Sequence, residues 1–141
     1  MVKLGTSIED MRKLCSKQID DEAEETRALF ITLNAGQGLV YEQKLREADM
    51  IMANTTHVNG EYVTDVQTPE VSNLAVEADD LNSTLYETAQ TVLTQAYQWA
   101  QASAVIESIR LRAKRQLKNA TNPKEMREVF PVDWSPATSY L

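Results

Sequence analysis

The sequence predicts an all-α protein in which an antiparallel helical hairpin and one long broken helix form a bundle, followed by an extended C-terminal tail. Two observations favour this class. Residues 84–118 contain no Gly or Pro, and their apolar side chains recur every three or four residues. Aromatic residues are few, so a thin bundle that is completed by oligomerisation is favoured over a thick self-contained core.

Four segments are expected along the chain. Residues 1–53 form the N-terminal helical hairpin, and residues 54–68 form a loop or a small β-hairpin. Residues 69–122 form the broken long helix that completes the bundle. Residues 123–141 form a short helix and then an extended tail with two further prolines and several aromatic residues.

The first helix is expected to be capped by Thr6 or Ser7 and to carry an apolar stripe from Ile8 to Leu33. The run Asn34-Ala35-Gly36-Gln37-Gly38 is expected to end it. A second helix should follow over Leu39–Ala53. Since the connection is short, the two helices are expected to pack antiparallel.

Residues 54–68 change to β-branched and turn-forming types. Asn59-Gly60 is typical of a type I′ turn, which predicts a β-hairpin. A plain loop remains open as an alternative, because an isolated two-stranded ribbon is marginal in water.

Thr68-Pro69 is expected to restart the helix, with Thr68 as its N-cap. The polar run from Asp79 to Ser83 predicts a break, and Thr84 with Glu87 resembles a capping box for the long helix. The apolar stripe of the long helix comprises Leu85, Ala89, Val92, Ala96, Trp99, Ala102, Ile106, Ile109, Ala113 and Leu117.

The tail begins after a short helix predicted from Asn122 to Val129. Its last residues, Phe130–Leu141, include Phe130, Trp134 and Tyr140. Solvated tails rarely contain so many aromatic residues. The tail is therefore expected to pack either on its own bundle or on a partner.

Charge narrows the classes of partner. The net charge of −7 argues against nucleic acid or a membrane surface as the main partner. The first helix is acidic over Asp20–Glu25, whereas the end of the long helix is basic over Arg110–Lys118. These two regions are expected to attract each other, across a hairpin or between subunits, and to set the register of packing.

The residues that carry chemistry are sparse. His57 is the only histidine and Cys15 the only cysteine, so neither a paired metal site nor an intrachain disulfide is expected. The glycines Gly36 and Gly38 lack the Lys-Ser/Thr of a phosphate-binding loop. The sequence therefore predicts no catalytic residues, no metal site and no cofactor, in a soluble protein that is made in the cytoplasm and is not an enzyme.

Two stretches resemble the helical segments of bacteriophage tail proteins. The first comprises Ile19-Asp20, Glu24, Arg27, Phe30-Ile31-Thr32, Gly36-Gln37, Tyr41, Lys44 and Glu47-Ala48. The second comprises Ala75-Val76-Glu77-Ala78, Thr84-Leu85, Ala89, Val92-Leu93, Trp99, Ile106-Glu107, Arg110 and Ala113-Lys114. The resemblance spans about residues 19–118 and implies a structural role in the virion, as part of a tail fibre, its attachment or the baseplate.

The leading hypothesis is a non-catalytic virion protein that connects or spaces tail components through helical oligomerisation, with other tail proteins as partners. An assembly chaperone or other helical binding module that leaves the particle is the alternative. The residues expected to contact other copies or partners are Leu85, Val92, Trp99, Ile106, Ile109, Leu117, Phe130, Trp134 and Tyr140.

Overall fold

The computed structural model describes residues 7–30 and 35–141, and these are mostly helical. In chain order, the elements are helices α1 (Ile8–Ala28) and α2 (Ala35–Ala53), strands β1 (Thr55–Val58) and β2 (Glu61–Thr64), a 3-10 helix (Thr68–Val71), and helices α3 (Ser72–Asp80), α4 (Leu85–Asn119), α5 (Pro123–Arg127) and α6 (Ser135–Thr138).

The chain divides into two compact units that share the long helix α4. The first unit comprises Met1–Thr32 and Trp99–Leu141, and the second comprises Leu33–Gln98. Helix α1 belongs to the first unit and α2 to the second. The antiparallel hairpin expected of these two helices stays a prediction.

Helix α1 begins directly after its N-cap residue, Ser7. The hydroxyl of Ser7 accepts a hydrogen bond from the backbone N–H of Asp10 at 3.0 Å, which satisfies one of the unpaired donors of the first turn. The helix ends at Ala28, earlier than its apolar stripe predicted. Leu33, the last residue of that stripe, lies outside the described residues.

Helix α2 corrects one sequence prediction. It begins at Ala35 and not at Leu39, so Gly36 and Gly38 are helical. The glycines were expected to form a turn because they are poor helix formers. They lie in the first turn, where helical hydrogen bonding is incomplete and such residues are best tolerated. Asn34, the other expected terminator, lies outside the described residues.

The β-hairpin is the exception to an all-α description. Strands β1 and β2 pair antiparallel, with Thr55 opposite Thr64 and Val58 opposite Glu61. The turn residues have positive φ, 50° at Asn59 and 82° at Gly60, as a type I′ turn requires. Of the two alternatives that the sequence left open, a β-hairpin and a plain loop, the structure has the β-hairpin.

Helix α3 starts through one 3-10 turn. The N-cap position of this 3-10 turn is occupied by Gln67, and Thr68 lies inside the turn, which corrects the predicted cap. The helix ends in a Schellman motif around Asn82, which has a φ of 52°. The N–H of Ser83 donates to the carbonyl of Ala78 at 2.8 Å, and the N–H of Asn82 donates to that of Asp79 at 3.2 Å. This motif is the physical cause of the predicted break.

Helix α4 spans 35 residues, which corresponds to about 50 Å of helix. Its first turn is capped by Thr84, whose hydroxyl accepts from the N–H of Glu87 at 3.1 Å. Every residue of the predicted apolar stripe, from Leu85 to Leu117, is buried or half-buried. The spacing of apolar residues thus identified the packed face of this helix correctly.

The C-terminal segment is more ordered than an extended tail. Helix α5 was predicted, and the side chain of Asn122 caps it by accepting from the N–H of Glu125 at 2.9 Å. Helix α6 then forms a single turn at Ser135–Thr138. The extended tail was expected because of Pro131 and Pro136, but Pro136 lies at the start of α6, where its missing N–H costs nothing.

Candidate functional site

The first two predicted contact residues, Leu85 and Val92, lie in the core of the second unit. Val92 is 5% exposed and packs with Ile51, Leu74 and Ala89. Leu85 packs half-buried against the same cluster. Their side chains therefore pack within the chain, and their predicted contact with other copies stays a prediction.

Ile106, Ile109 and Leu117 are buried in the first unit. Ile106 and Ile109 share a cluster with Ala23 of α1 and Ala137 of α6. Leu117 belongs to a second cluster, whose buried members also include Ile19, Ala113, Ala120, Met126 and Val129. The stripe predicted to join copies thus joins α4 to α1 and to the C-terminal segment.

The aromatic contact residues divide between core and surface. The rings of Trp99 and Phe30 are 5.9 Å apart between centroids. Phe130 packs half-buried against the Leu117 cluster, and Trp134 against the Ile106 cluster. The C-terminal segment therefore packs on its own unit. Tyr140 is 37% exposed, whereas the other eight predicted contact residues are buried or half-buried.

A further contact of the C-terminal segment is polar. Trp134 donates its indole N–H to the Glu22 carboxylate at 2.9 Å. Glu22 belongs to the acidic run of α1, so this run holds the segment as well as the long helix. The sequence did not predict this pair, because a tryptophan in a Pro-flanked tail gives no sign of its acceptor.

Charged side chains connect α1 with the second half of α4. Asp20 accepts hydrogen bonds from Lys114 Nζ at 2.8 Å and Arg110 Nη1 at 3.1 Å. Glu107 pairs with Arg110 at 2.7 Å and with Arg27 at 3.1 Å. The predicted attraction between the acidic first helix and the basic end of the long helix is thus confirmed within one chain.

These bonds shift the pKa of both carboxyls. Lys114, with Arg110 beside it, lowers the pKa of Asp20, and Arg110 lowers that of Glu107. In turn, the carboxylates of Glu107 and Asp20 raise the pKa of Arg110. Asp20 and Glu107 are nearly half exposed. Water therefore screens the pairs, and their main effect is to fix the register of α1 against α4.

The side chain of Arg12 caps the C-terminal end of α4. Its Nη1 donates to the carbonyl of Leu117 at 2.6 Å, of Ala120 at 3.0 Å and of Lys118 at 3.2 Å. The last carbonyls of a helix have no partner within the helix and carry its partial negative charge. A guanidinium at this position satisfies them and complements that charge.

Glu47 caps the N-terminal end of α3. Its carboxylate is 1% exposed and accepts from the N–H of Asn73 at 2.8 Å and of Leu74 at 3.2 Å. It also accepts from Asn73 Nδ2 at 2.7 Å. Helix α3 has no cap from its own flanking residue, so α2 supplies the acceptor for its first turn.

The sequence contains only a weak indication that Glu47 is buried. It precedes Ile51 by four residues, so both lie on the same face of α2, and both are buried. Neither it nor Arg12 was identified from the sequence, because their partners lie 26 or more positions away.

The β-hairpin carries an aromatic cluster on one face. The rings of His57 and Tyr62 are 4.7 Å apart, and Tyr62 stacks on Tyr86 of α4 at 4.1 Å with an interplanar angle of 12°. On the same face, the hydroxyls of Thr55 and Thr64 hydrogen-bond at 2.7 Å. One face of the ribbon is thus held against the start of the long helix.

The second unit also has a groove of about 640 Å³ beside α3. Its lining includes Pro69, Ala75, Val76, Asp79 and Leu85. Within the described ranges, no three or more His, Cys, Asp or Glu residues are grouped to hold a metal ion. Nor is any described helix both long and apolar enough to cross a membrane.

None of the family models, curated protein sequences or solved structures compared with this chain matches it.

Proposed function

We propose that this chain is a non-catalytic structural protein of a bacteriophage tail, where it connects or spaces fibre or baseplate components. The observation that carries the proposal is the 35-residue helix α4, which serves as a core element in both compact units. A helix packed along its whole length resists bending better than a linker of equal length. Such an element suits a spacing role.

The resemblance of residues 19–118 to tail-protein segments supports the same role. Several quoted positions have structural uses that fit it: Asp20, Arg27, Glu107 and Arg110 form the charged contacts between α1 and α4. The antiparallel hairpin and bundle predicted from the sequence are part of this proposal.

The proposed partners are further copies of the chain and other virion proteins of the tail, not nucleic acid or membrane. The protein would be made in the host cytoplasm and incorporated into the tail. Exposed apolar side chains support association, since Val76 is 70% exposed and Leu111 is 47% exposed. These residues are more exposed than the stripe predicted to contact partners.

Mass spectrometry of purified phage particles tests the tail assignment. Heads and tails are separated, and the copy number of the chain is measured in each fraction against a known tail protein. We expect several copies per tail and none in heads. Absence from purified tails, together with a complex with a tail protein in infected cells, would overturn the proposal in favour of an assembly chaperone.

A further inference from the structure

The β-hairpin has one anchored face and one free face. Thr55, His57, Tyr62 and Thr64 share the face that contacts Tyr86. The opposite face carries Thr56, Val58, Glu61 and Val63, all of them exposed, with Val58 and Val63 at 49% each. The ribbon is therefore held in place by one face, and both of its strands are edge strands of a two-stranded sheet.

The turn fixes which backbone groups point outward from the ribbon. In a two-residue hairpin, the residues that flank the turn exchange both hydrogen bonds, and the pattern then alternates along the strands. The bond from Asp65 N–H to the Asn54 carbonyl at 2.9 Å agrees with this alternation. The outward N–H and C=O groups on β1 thus belong to Thr55 and His57, and those on β2 to Tyr62 and Thr64.

We propose that β1 pairs antiparallel with β1 of a second copy, which joins the two hairpins into one four-stranded sheet. In this register, Thr55 exchanges hydrogen bonds with His57 of the other copy, and Thr56 lies opposite its own counterpart. It is the register within the strand that uses both outward residues of each copy. The two-fold symmetry makes the edge complementary to itself.

Charge selects β1 over β2 for this pairing. Residues 53–60 contain no Asp, Glu, Lys or Arg, and β1 has neither a proline nor a lysine to protect its edge. The equivalent self-pairing of β2, centred on Val63, would place each Glu61 opposite Asp65 of the other copy. Like charges opposite each other destabilise a sheet, so β2 is the protected edge.

A second copy is a better occupant of this edge than an unrelated strand, because β1 matches itself in hydrogen-bonding groups and introduces no charge. Among the described residues, the sheet has two strands, so β1 is an edge strand whose strand partner is β2. The shared edge is short, so the pair is weak in dilute solution and becomes favourable where many copies are held together. The inference rests on the self-association in the proposed function and not on the tail assignment.

Sedimentation equilibrium of the full chain tests the pairing, over concentrations up to the solubility limit. Thr56→Lys should weaken dimerisation by up to about fivefold, because the two lysines face each other at a closely spaced, non-hydrogen-bonded pair. The matched control is Val63→Lys, which adds the same charge to the same exposed face on the strand that does not pair. It should dimerise as the unmodified chain does.

A charge-swap experiment separates loss of pairing from loss of folding. Thr56→Glu alone should dimerise as weakly as Thr56→Lys, whereas an equimolar mixture of the two variants should recover association at least to the level of the unmodified chain. Amide hydrogen exchange adds a positional readout. At high concentration, the N–H groups of Thr55 and His57 should exchange more slowly, while those of Tyr62 and Thr64 should not change.

The inference would be overturned by a monomer at every concentration, by equal weakening in Thr56→Lys and Val63→Lys, or by a mixture that associates no better than its components. A dimer that protects other amides would overturn this edge but leave self-association intact. Absence of the chain from purified tails, with the pairing observed, would overturn the tail assignment alone.

Discussion

Withdrawing a carboxylate from water costs free energy unless hydrogen bonds replace the lost hydration. Glu47 meets this condition with three donors, two of them backbone N–H groups at the start of α3. The positive end of the helix dipole adds to the effect. One side chain of α2 therefore fixes the position where α3 begins.

Replacing Glu47 with Ala should lower the free energy of unfolding by about 3 kcal/mol, since it leaves the buried N–H of Leu74 and two half-buried donors of Asn73 without an acceptor. Urea unfolding at neutral pH, followed by circular dichroism, measures the change. Glu42→Ala is the control, because Glu42 is exposed on the same helix. Equal stability of the two variants would show that the Glu47 bonds contribute nothing net.

Residue-scale features of this kind are the ones that the sequence predicts least well. Capping residues within a few positions of their helix, such as Ser7 and Thr84, were identified from the sequence. Glu47 was not identified, because a glutamate is nearly always exposed. Only hydrogen bonds from donors far along the chain offset the cost of burying it.

At the scale of elements, the ends of α4 are stabilised in different ways. Its start is capped by the neighbouring Thr84, whereas its end depends on Arg12 from α1. The second arrangement ties the last turn of α4 to α1. Fraying of that turn should therefore depend on a residue more than 100 positions away along the chain.

Replacing Arg12 with Met keeps an unbranched apolar side chain but removes the donors. We expect a loss of about 1–2 kcal/mol and faster amide exchange in the last turn of α4. Hydrogen exchange measured by mass spectrometry, together with urea unfolding, checks both effects. Lys13→Met is the matched control, since Lys13 is exposed beside Arg12. Unchanged exchange near Leu117 would contradict the capping role.

Periodicity and turn chemistry predicted most of the elements because both act locally. The stripe of α4 and the turn at Asn59-Gly60 needed no distant partner to be recognised. The predicted start of α2 was wrong, because two glycines indicate a break in a helix wherever tertiary structure does not override their low helix propensity. Helix α6 was missed because a single helical turn is held by its packing, through Ala137.

At the scale of the whole molecule, α4 makes the two units depend on one element. Its first half packs with Ile51 and Leu74, and its second half packs with Ile19 and Ala23. Unfolding of one unit would deprive part of α4 of its packing, and long helices are marginal in water without it. The chain should therefore unfold in one cooperative transition.

Leu74→Ala tests this coupling. Leu74 is fully buried in the second unit, and its truncation should cost roughly 3 kcal/mol. Both tryptophans, Trp99 and Trp134, lie in the first unit. If the units are coupled, the tryptophan fluorescence transition should shift to lower urea together with the circular dichroism transition.

The control for this test is Val76→Ala, because Val76 lies on the same helix and is 70% exposed. It should leave both transitions close to those of the unmodified chain. A fluorescence midpoint that stays fixed in Leu74→Ala, while part of the helical signal is lost earlier, would show that the units unfold independently.

Cys15 gives this molecule a built-in labelling position. It is the only cysteine in the sequence, and it packs half-buried against the Leu117 cluster of the first unit. A thiol-reactive reagent will therefore modify one known site, without mutagenesis. Because the thiol reacts faster when that cluster opens, the rate of labelling is a measure of local opening in native buffer.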